Sequence, residues 1–435
     1  MNFLLLIVTS FLCSLSVKSQ TINIEFSHFA GKSYHYLIIH GEKQDTIISG
    51  ELDEKGRASI VFKDFYKGYK GMSRFLLDDG GGLDLVINKE NFTVSCKEQN
   101  PTFDNIKFES SPENEYFINQ SIKKEKLLQK AKIAGAVLTT YNTSDEVYAP
   151  FVKEQEQLNE QYKILKASNT QSLLYAARLI EMYDFLMGNS SDLQDSKKIK
   201  IEEANTFVIS KVNMDDLYTS GYWNSVWISW LKMQLLQSKD ESQLLSNLQK
   251  AGSRIRTNVQ FTAFAELAIR ELAKLGKDEV IGAFGEYLSK SKKIENPSHN
   301  LLAALGGPKT GMLAPDLVWK EGNYTFDKKQ KTILVFYETG CNNCDNEINL
   351  LIGNYQELQK KGYVVVTAAS DVDPVEYQKN AERFPWKKKF SDFRGQAGYN
   401  FISFGVIGTP TIFVIDENGI ITGRYARLAD AHILN

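Results

Sequence analysis

Thr332-Ile333-Leu334-Val335-Phe336-Tyr337, then Glu338-Thr339-Gly340, then Cys341-Asn342-Asn343-Cys344, is the stretch that decides the fold of this chain. Its first six residues are apolar, β-branched or aromatic, as in a buried β-strand. After the second cysteine, Ile348, Leu351, Ile352, Tyr355 and Leu358 recur at helical spacing on one face. The cysteine pair therefore sits where a strand turns into a helix, with Cys341 near the helix N-terminus. Unpaired N–H groups and the macrodipole at that position favour a thiolate.

Further along, Gly408-Thr409-Pro410-Thr411 opens the apolar run Ile412-Phe413-Val414-Ile415, which Asp416-Glu417-Asn418-Gly419 closes as a turn. This segment resembles the cis-proline loop of thioredoxin folds. The stretch from Ala314-Pro315 resembles the opening strand of the TlpA/ResA-like branch, the envelope thiol–disulfide oxidoreductases. Glu347, three residues after Cys344, falls where that branch carries an active-site glutamate. Pro410 lies 69 residues after Cys341, which leaves room for the strand and helix that the branch inserts. The resemblance covers residues 310–435. It implies a redox disulfide between Cys341 and Cys344, a cis bond at Pro410, and a Thr409 backbone exposed for strand-like pairing with a substrate segment. It implies neither cofactor nor metal.

Each of these residues also has a plainer reading. The cysteine pair could be half of a zinc site, but His28, His35, His40, His299 and His432 supply no partner pair at suitable spacing. Pro410 could be a trans proline on an edge strand. Glu347 shares a helix face with Cys344, so its carboxylate could exchange a proton with that thiol; alternatively it is one more acid stabilising the first helical turn. Asp345 is read the second way. Glu338 opposes thiolate formation by like charge or faces solvent. The Asn342-Asn343 pair supplies no basic group that would make the disulfide a strong oxidant, which favours a reducing or near-neutral protein. Gly340 stands where the branch usually has Trp, so an apolar lid over the thiol is missing.

Residues 3–12 are apolar apart from Thr9 and Ser10, too short a run for a membrane span and suited to a signal-peptide core. Val17 and Ser19 fit the cleavage rule and give a mature start at Gln20, although no Lys or Arg precedes the core. Ser10-Phe11-Leu12 before Cys13 match a lipobox poorly because of the Leu, so a lipid anchor is not expected. The chain is read as exported to the periplasm or cell envelope. Cleavage would leave Cys96, Cys341 and Cys344, too few cysteines for disulfides to hold 435 residues together. With 51 basic against 53 acidic residues, nothing points to nucleic acid. The run Lys387-Lys388-Lys389 reads as a solvated loop.

The organisation reads as multi-domain: a signal peptide over 1–19, a β-rich domain over 20–110, an all-α helical block over 111–305, and an α/β thioredoxin-like domain over 306–435. Ile22, Ile24 and Phe26 alternate, as do Leu83, Leu85 and Ile87; Gly80-Gly81-Gly82 is a turn, and Cys96 a buried free thiol facing with Phe92 and Val94. Trp223, Trp227, Trp230 and Leu231 fall at helical spacing and are read as core, as do Leu174, Ala177 and Ile180. Residues 297–308, bounded by Pro297 and Pro308 with Gly306-Gly307, read as a linker. Residues 361–369 read as a strand, Asp373-Pro374 as a helix start, Phe404-Gly405-Val406 as a packing strand, and Asn418-Gly419 as a hairpin turn. Any helix in the ten residues after Tyr425 is expected to be short.

The function expected is a thiol–disulfide oxidoreductase acting on client proteins, recharged by a membrane or envelope electron donor. Two other readings stay open: a peroxiredoxin-like peroxidase, against which Glu338-Thr339-Gly340 place the Thr one position too close and supply no Pro, and a binding or assembly protein with a regulatory dithiol.

Overall fold

The computed structural model describes residues 20–63, 66, 68–188, 201–237, 241–319, 322–326 and 329–434. The signal-peptide segment and Cys13 lie outside the described residues. β-sheets come first in the chain, a block of helices follows, and an α/β domain with a five-stranded sheet closes it. By contact the described residues form two compact units, one within 1–196 together with 216–221 and one within 197–215 together with 222–435.

In the first unit, β1 (Thr21–Phe26), β4 (Arg57–Val61), β7 (Phe92–Cys96) and β8 (Lys107–Glu109) form one sheet, ordered β4-β1-β7-β8. β2 (Ser33–His40), β3 (Lys43–Glu51), β5 (Lys70–Leu77) and β6 (Gly82–Asn88) form a second, ordered β3-β2-β5-β6. The alternation read from the sequence is the one that packs. Ile22, Ile24, Phe26, Phe92, Val94 and Cys96 point into one core with Tyr34, Tyr36, Ile38 and Leu85 of the other sheet. Helices α1 (Pro112–Thr140), α2 (Tyr148–Gln171) and α3 (Tyr175–Leu186) follow. Ser111 caps α1, and Pro112 sits in its first turn, where its missing N–H costs nothing. Next to it, Glu113 accepts the Tyr175 and Ala176 N–H groups at 3.1 and 2.7 Å, a carboxylate on the unpaired donors that start α3.

α4 (Ile201–Thr206) belongs to the second unit; α5 (Met214–Tyr218) is divided at Asp215, its last three residues counting with the first; α6 (Trp223–Gln237), α7 (Glu241–Ser253), α8 (Asn258–Lys274), α9 (Asp278–Ser291) and α10 (His299–Gly306) belong to the second. Trp223, Trp227 and Trp230 are fully buried and meet edge to face, with centroids 5.6 and 5.8 Å apart. Residues 297–308 are no linker. Ser298 caps α10 by accepting the Leu301 N–H, and Leu301 and Ala303 are buried. The proline and glycines there punctuate the ends of a helix. Just beyond α10, Gly307 and Gly405 meet so closely that a Cβ on either would stand 2.7 Å from the other's Cα.

The closing domain opens with the hairpin β9 (Leu317–Trp319) and β10 (Gly322–Tyr324). Then come β11 (Lys331–Tyr337), α11 (Asn342–Gly353), α12 (Tyr355–Lys360), β12 (Tyr363–Ala369), α13 (Pro374–Ala381), β13 (Lys388–Ser391), α14 (Tyr399–Ser403), β14 (Thr411–Ile415) and β15 (Ile421–Tyr425). The sheet order is β13-β12-β11-β14-β15, with β11 parallel to β12 and antiparallel to β14. β11 is central and buried on both faces, which is why it reads as an unbroken apolar run. Ile333, Val335 and Tyr337 pack with Cys344, Ile348 and Leu351 of α11; Leu334 and Phe336 pack on the opposite face with Phe401, Phe404 and Phe413.

Three local expectations are corrected. The helix after the dithiol breaks at Asn354 into α11 and α12, although Ile348, Leu351, Ile352, Tyr355 and Leu358 still pack into one core. Phe404 and Val406 are buried, but they follow α14 through a turn at Gly405 (φ 64°) and form no strand. Lys388 and Lys389 belong to β13, where their ammonium groups donate to the Tyr324 hydroxyl and the Ala381 carbonyl, each at 2.6 Å.

Candidate active site

β11 delivers the chain to the dithiol at the C-terminal end of the sheet, where sites in such folds collect. Glu338-Thr339-Gly340 bridge to α11. Gly340 has φ 80°, a conformation that a side chain would strain, and nothing lies within 4 Å of where a Cβ would stand.

Cys341 is the N-cap of α11. Its sulfur accepts the Cys344 N–H at 3.3 Å, and its carbonyl accepts the Asp345 N–H at 3.0 Å. A thiol at this point faces donors that have no partner within the helix. The two sulfurs lie 2.6 Å apart. Their surroundings differ: Cys341 is half-buried, whereas Cys344 is fully buried against β11. Burial, and after it the hydrogen bond to Cys341, push the Cys344 thiol up to about 12.

The pairing of β14 with β11 sets Thr411 opposite Phe336, which lands the preceding loop beside the dithiol. The Thr409–Pro410 bond is cis, and the Thr409 carbonyl lies 4.0 Å from the Cys341 sulfur. Glu347 is only 8% exposed, and its carboxylate accepts the N–H of the buried Leu428 at 2.8 Å. Leu428 begins a short 3-10 turn (Leu428–Ala431). Glu347 therefore ties α11 to a segment 81 residues away. Asp345 pairs with Arg383 on the outer side of α11.

Sequence reading missed a polar cluster that holds the loop ahead of Cys341. Asp371 lies two residues past β12; its carboxylate accepts the Thr339 hydroxyl at 2.9 Å and the Thr339 N–H at 3.4 Å. Asn380 of α13 donates to the same hydroxyl at 2.9 Å. Burial raises the Asp371 carboxyl above the usual aspartate range, and the bonds from Thr339 oppose that shift. Tyr337, also buried, carries a phenol raised by desolvation whose oxygen has no hydrogen-bond partner among the described residues. An acid five residues after Val366, just beyond the carboxyl end of a parallel strand, was the one available signal. A cleft of about 400 Å³ opens beside the dithiol, lined by Asn343 and Asn346 of α11, the 407–411 loop, Arg427 and the end of α8 at Lys274.

A central parallel pair flanked by an antiparallel hairpin, a CxxC at a helix N-terminus and a cis proline before the next strand define a thioredoxin-like domain, the fold of thiol–disulfide oxidoreductases. Residues 319–424 match the profile of the AhpC/TSA family. Among solved structures, the thioredoxin domain of a thiol-disulfide oxidoreductase from Bacteroides vulgatus aligns at 21% identity and TM-score 0.26, covering 28% of this chain and 93% of its own. A protein named as thiol:disulfide interchange protein DsbE from Chlorobium tepidum aligns at 27% identity and TM-score 0.25, covering 28% and 91%. A thiol-disulfide oxidoreductase from Bacteroides fragilis aligns at 16% identity and TM-score 0.25, covering 28% and 96%. No curated protein matches the chain.

Proposed function

We propose that the protein is an exported, TlpA/ResA-like thiol–disulfide oxidoreductase that reduces or exchanges disulfides of envelope proteins through Cys341 and Cys344. The observation that carries this reading is the asymmetric pair: a reachable Cys341 at a helix N-cap with a buried, protonated Cys344 behind it. The Cys341 thiolate attacks one sulfur of a client disulfide, forming a mixed disulfide and releasing the other client sulfur as a thiolate, which takes a proton from solvent. Cys344 then loses its proton and attacks the Cys341 sulfur. The Cys341–Cys344 disulfide forms, and the client leaves as a dithiol. Two electrons have passed to the client, so a dithiol electron donor in the envelope must reduce the protein again. Thr409 and Pro410 take the client's backbone, and Glu347, one helical turn after Cys344 in the sequence, exchanges its proton.

Export is supported by the leader-like residues 1–19; no helix among the described residues is long and apolar enough to cross a membrane. The AhpC/TSA match gives a peroxidase reading its one support. Against it, the Thr339 hydroxyl is engaged by Asp371 and Asn380 rather than by the sulfur. Insulin reduction and hydrogen peroxide consumption, measured side by side on the full chain with dithiothreitol as donor, test the assignment. Insulin turnover that disappears in Cys341→Ser is the expected result. Peroxide turnover without insulin turnover would replace the oxidoreductase with a peroxidase.

A further inference from the structure

The dithiol cleft has a wall that a thioredoxin-like domain does not itself supply. The C-terminal end of α8, from the helical region of the same compact unit, lines it at Lys274, opposite Arg427 and the proline loop. Among the titratable side chains lining the cleft, Lys274 and Arg427 are the cations and Glu347 is the acid. Glu347 is buried and turned toward the Leu428 N–H, so it presents little charge to an occupant. Both cations are well exposed, at 61% and 70%, and their partners Glu271 and Asp430 lie outside the lining. Asn343 and Asn346, one turn apart on α11, add exposed amides along the floor.

We propose that the end of α8 reads the client: the cleft takes an extended protein segment in which an acidic residue flanks the disulfide cysteine. This rests on the oxidoreductase reading above. The segment lies along the loop at Thr409 with its sulfur at Cys341, while Lys274 and Arg427 meet the acidic side chain and the asparagine amides meet the backbone. A cleft of about 400 Å³ is far larger than a lone disulfide needs, and selection by charge requires Lys274 and Arg427 to exchange their present carboxylates, Glu271 and Asp430, for the client's. Exposed, screened pairs of this kind discriminate modestly, so the preference is one of rate among clients, largest at low salt.

The test uses the full chain and two peptides with the same disulfide, one with Glu and one with Lys beside the cysteine, together with bis(hydroxyethyl) disulfide as a small neutral substrate. The expected result is a kcat/KM about two- to fivefold higher for the Glu peptide, lost in Lys274→Gln and reversed in Lys274→Glu. Equal kcat/KM for the two peptides in a protein that turns over bis(hydroxyethyl) disulfide overturns the client-reading wall alone. A wild-type protein inert toward all three disulfides overturns the oxidoreductase reading and this inference with it. A preference for the Glu peptide that survives Lys274→Glu removes α8 from the selection.

Discussion

Cys96 and Cys341 stand in comparable places in two different regions, one closing β7 and one just past β11, and the structure treats them in opposite ways. Cys96 points into the core between two sheets, its sulfur near the Asn105 side-chain oxygen at 3.3 Å, and the chain beyond it returns as β8. Beyond Cys341 the chain becomes a helix, so its sulfur faces an N–H donor and a second thiol, with the Thr409 carbonyl 4.0 Å away. The contrast is one of local structure: after Cys96 the chain returns as a strand, whereas from Cys341 it enters a helix.

The sharpest way to break this comparison is to remove each sulfur in turn. Cys341→Ser should lower insulin reduction on the order of a thousandfold or more, while Cys96→Ser leaves it unchanged. Equal losses in a steady-state assay would mean that the β region takes part in the redox chemistry. Next in size is accessibility. Iodoacetamide at neutral pH should modify Cys341 first, and Cys344→Ser should still form mixed disulfides. With its thiol raised to about 12, Cys344 labelling should climb roughly tenfold per pH unit toward that value; preferential early labelling of Cys344 would exchange the two roles. The same shift carries a sign for stability. The unfolded thiol ionises near about 8.5 and the folded one later, so the reduced protein should lose stability as the pH rises from there toward 12. The disulfide form has no such thiol and should not, which denaturation of both forms across that window checks.

A smaller effect is expected at Glu347. Glu347→Ala strands the buried Leu428 N–H and should cost about 1–3 kcal/mol in urea denaturation, whereas Glu347→Gln keeps an oxygen for that bond and should cost less. If the carboxylate also handles the Cys344 proton, the Gln variant will shift the rate–pH profile of exchange; superimposable profiles would leave it a tie between segments. Smallest is the departure of the redox potential from the reducing end of the known range. With Asn342-Asn343 between the cysteines it should fall at about −270 to −180 mV, and a value near about −120 mV on dithiothreitol equilibration would mark an oxidant instead.

Much of this architecture was legible because its signals are local. β11 is an apolar run, Asp373 accepts the Val375 N–H ahead of Pro374 as a helix cap, and Asn418-Gly419 turns between β14 and β15. Errors arose where one composition serves two ends. Proline and glycine flanking residues 298–306 mark a loop or bound a helix, and the buried Leu301 and Ala303 decide for the helix. The Thr339–Asp371–Asn380 cluster was out of reach because its members lie 32 and 41 residues apart, and only the parallel pairing of β11 with β12 brings them together. The division of the helices between two compact units likewise depends on long-range packing that periodicity does not encode. The α8 wall has the same origin, since nothing near Lys274 announces a cleft whose other side lies more than a hundred residues on.

The contact between Gly307 and Gly405 makes the passage from helical region to redox domain a weld rather than a tether. Two backbones touch there with no room for even a methyl group on either, and α10, just ahead of Gly307, packs against α14. A protease or a cloning boundary placed at that point would peel a helix from the redox domain and leave a raw apolar seam in its place. A seam of that kind invites self-association. Within its compact unit, α10 is thus a fitted part of the domain that follows it.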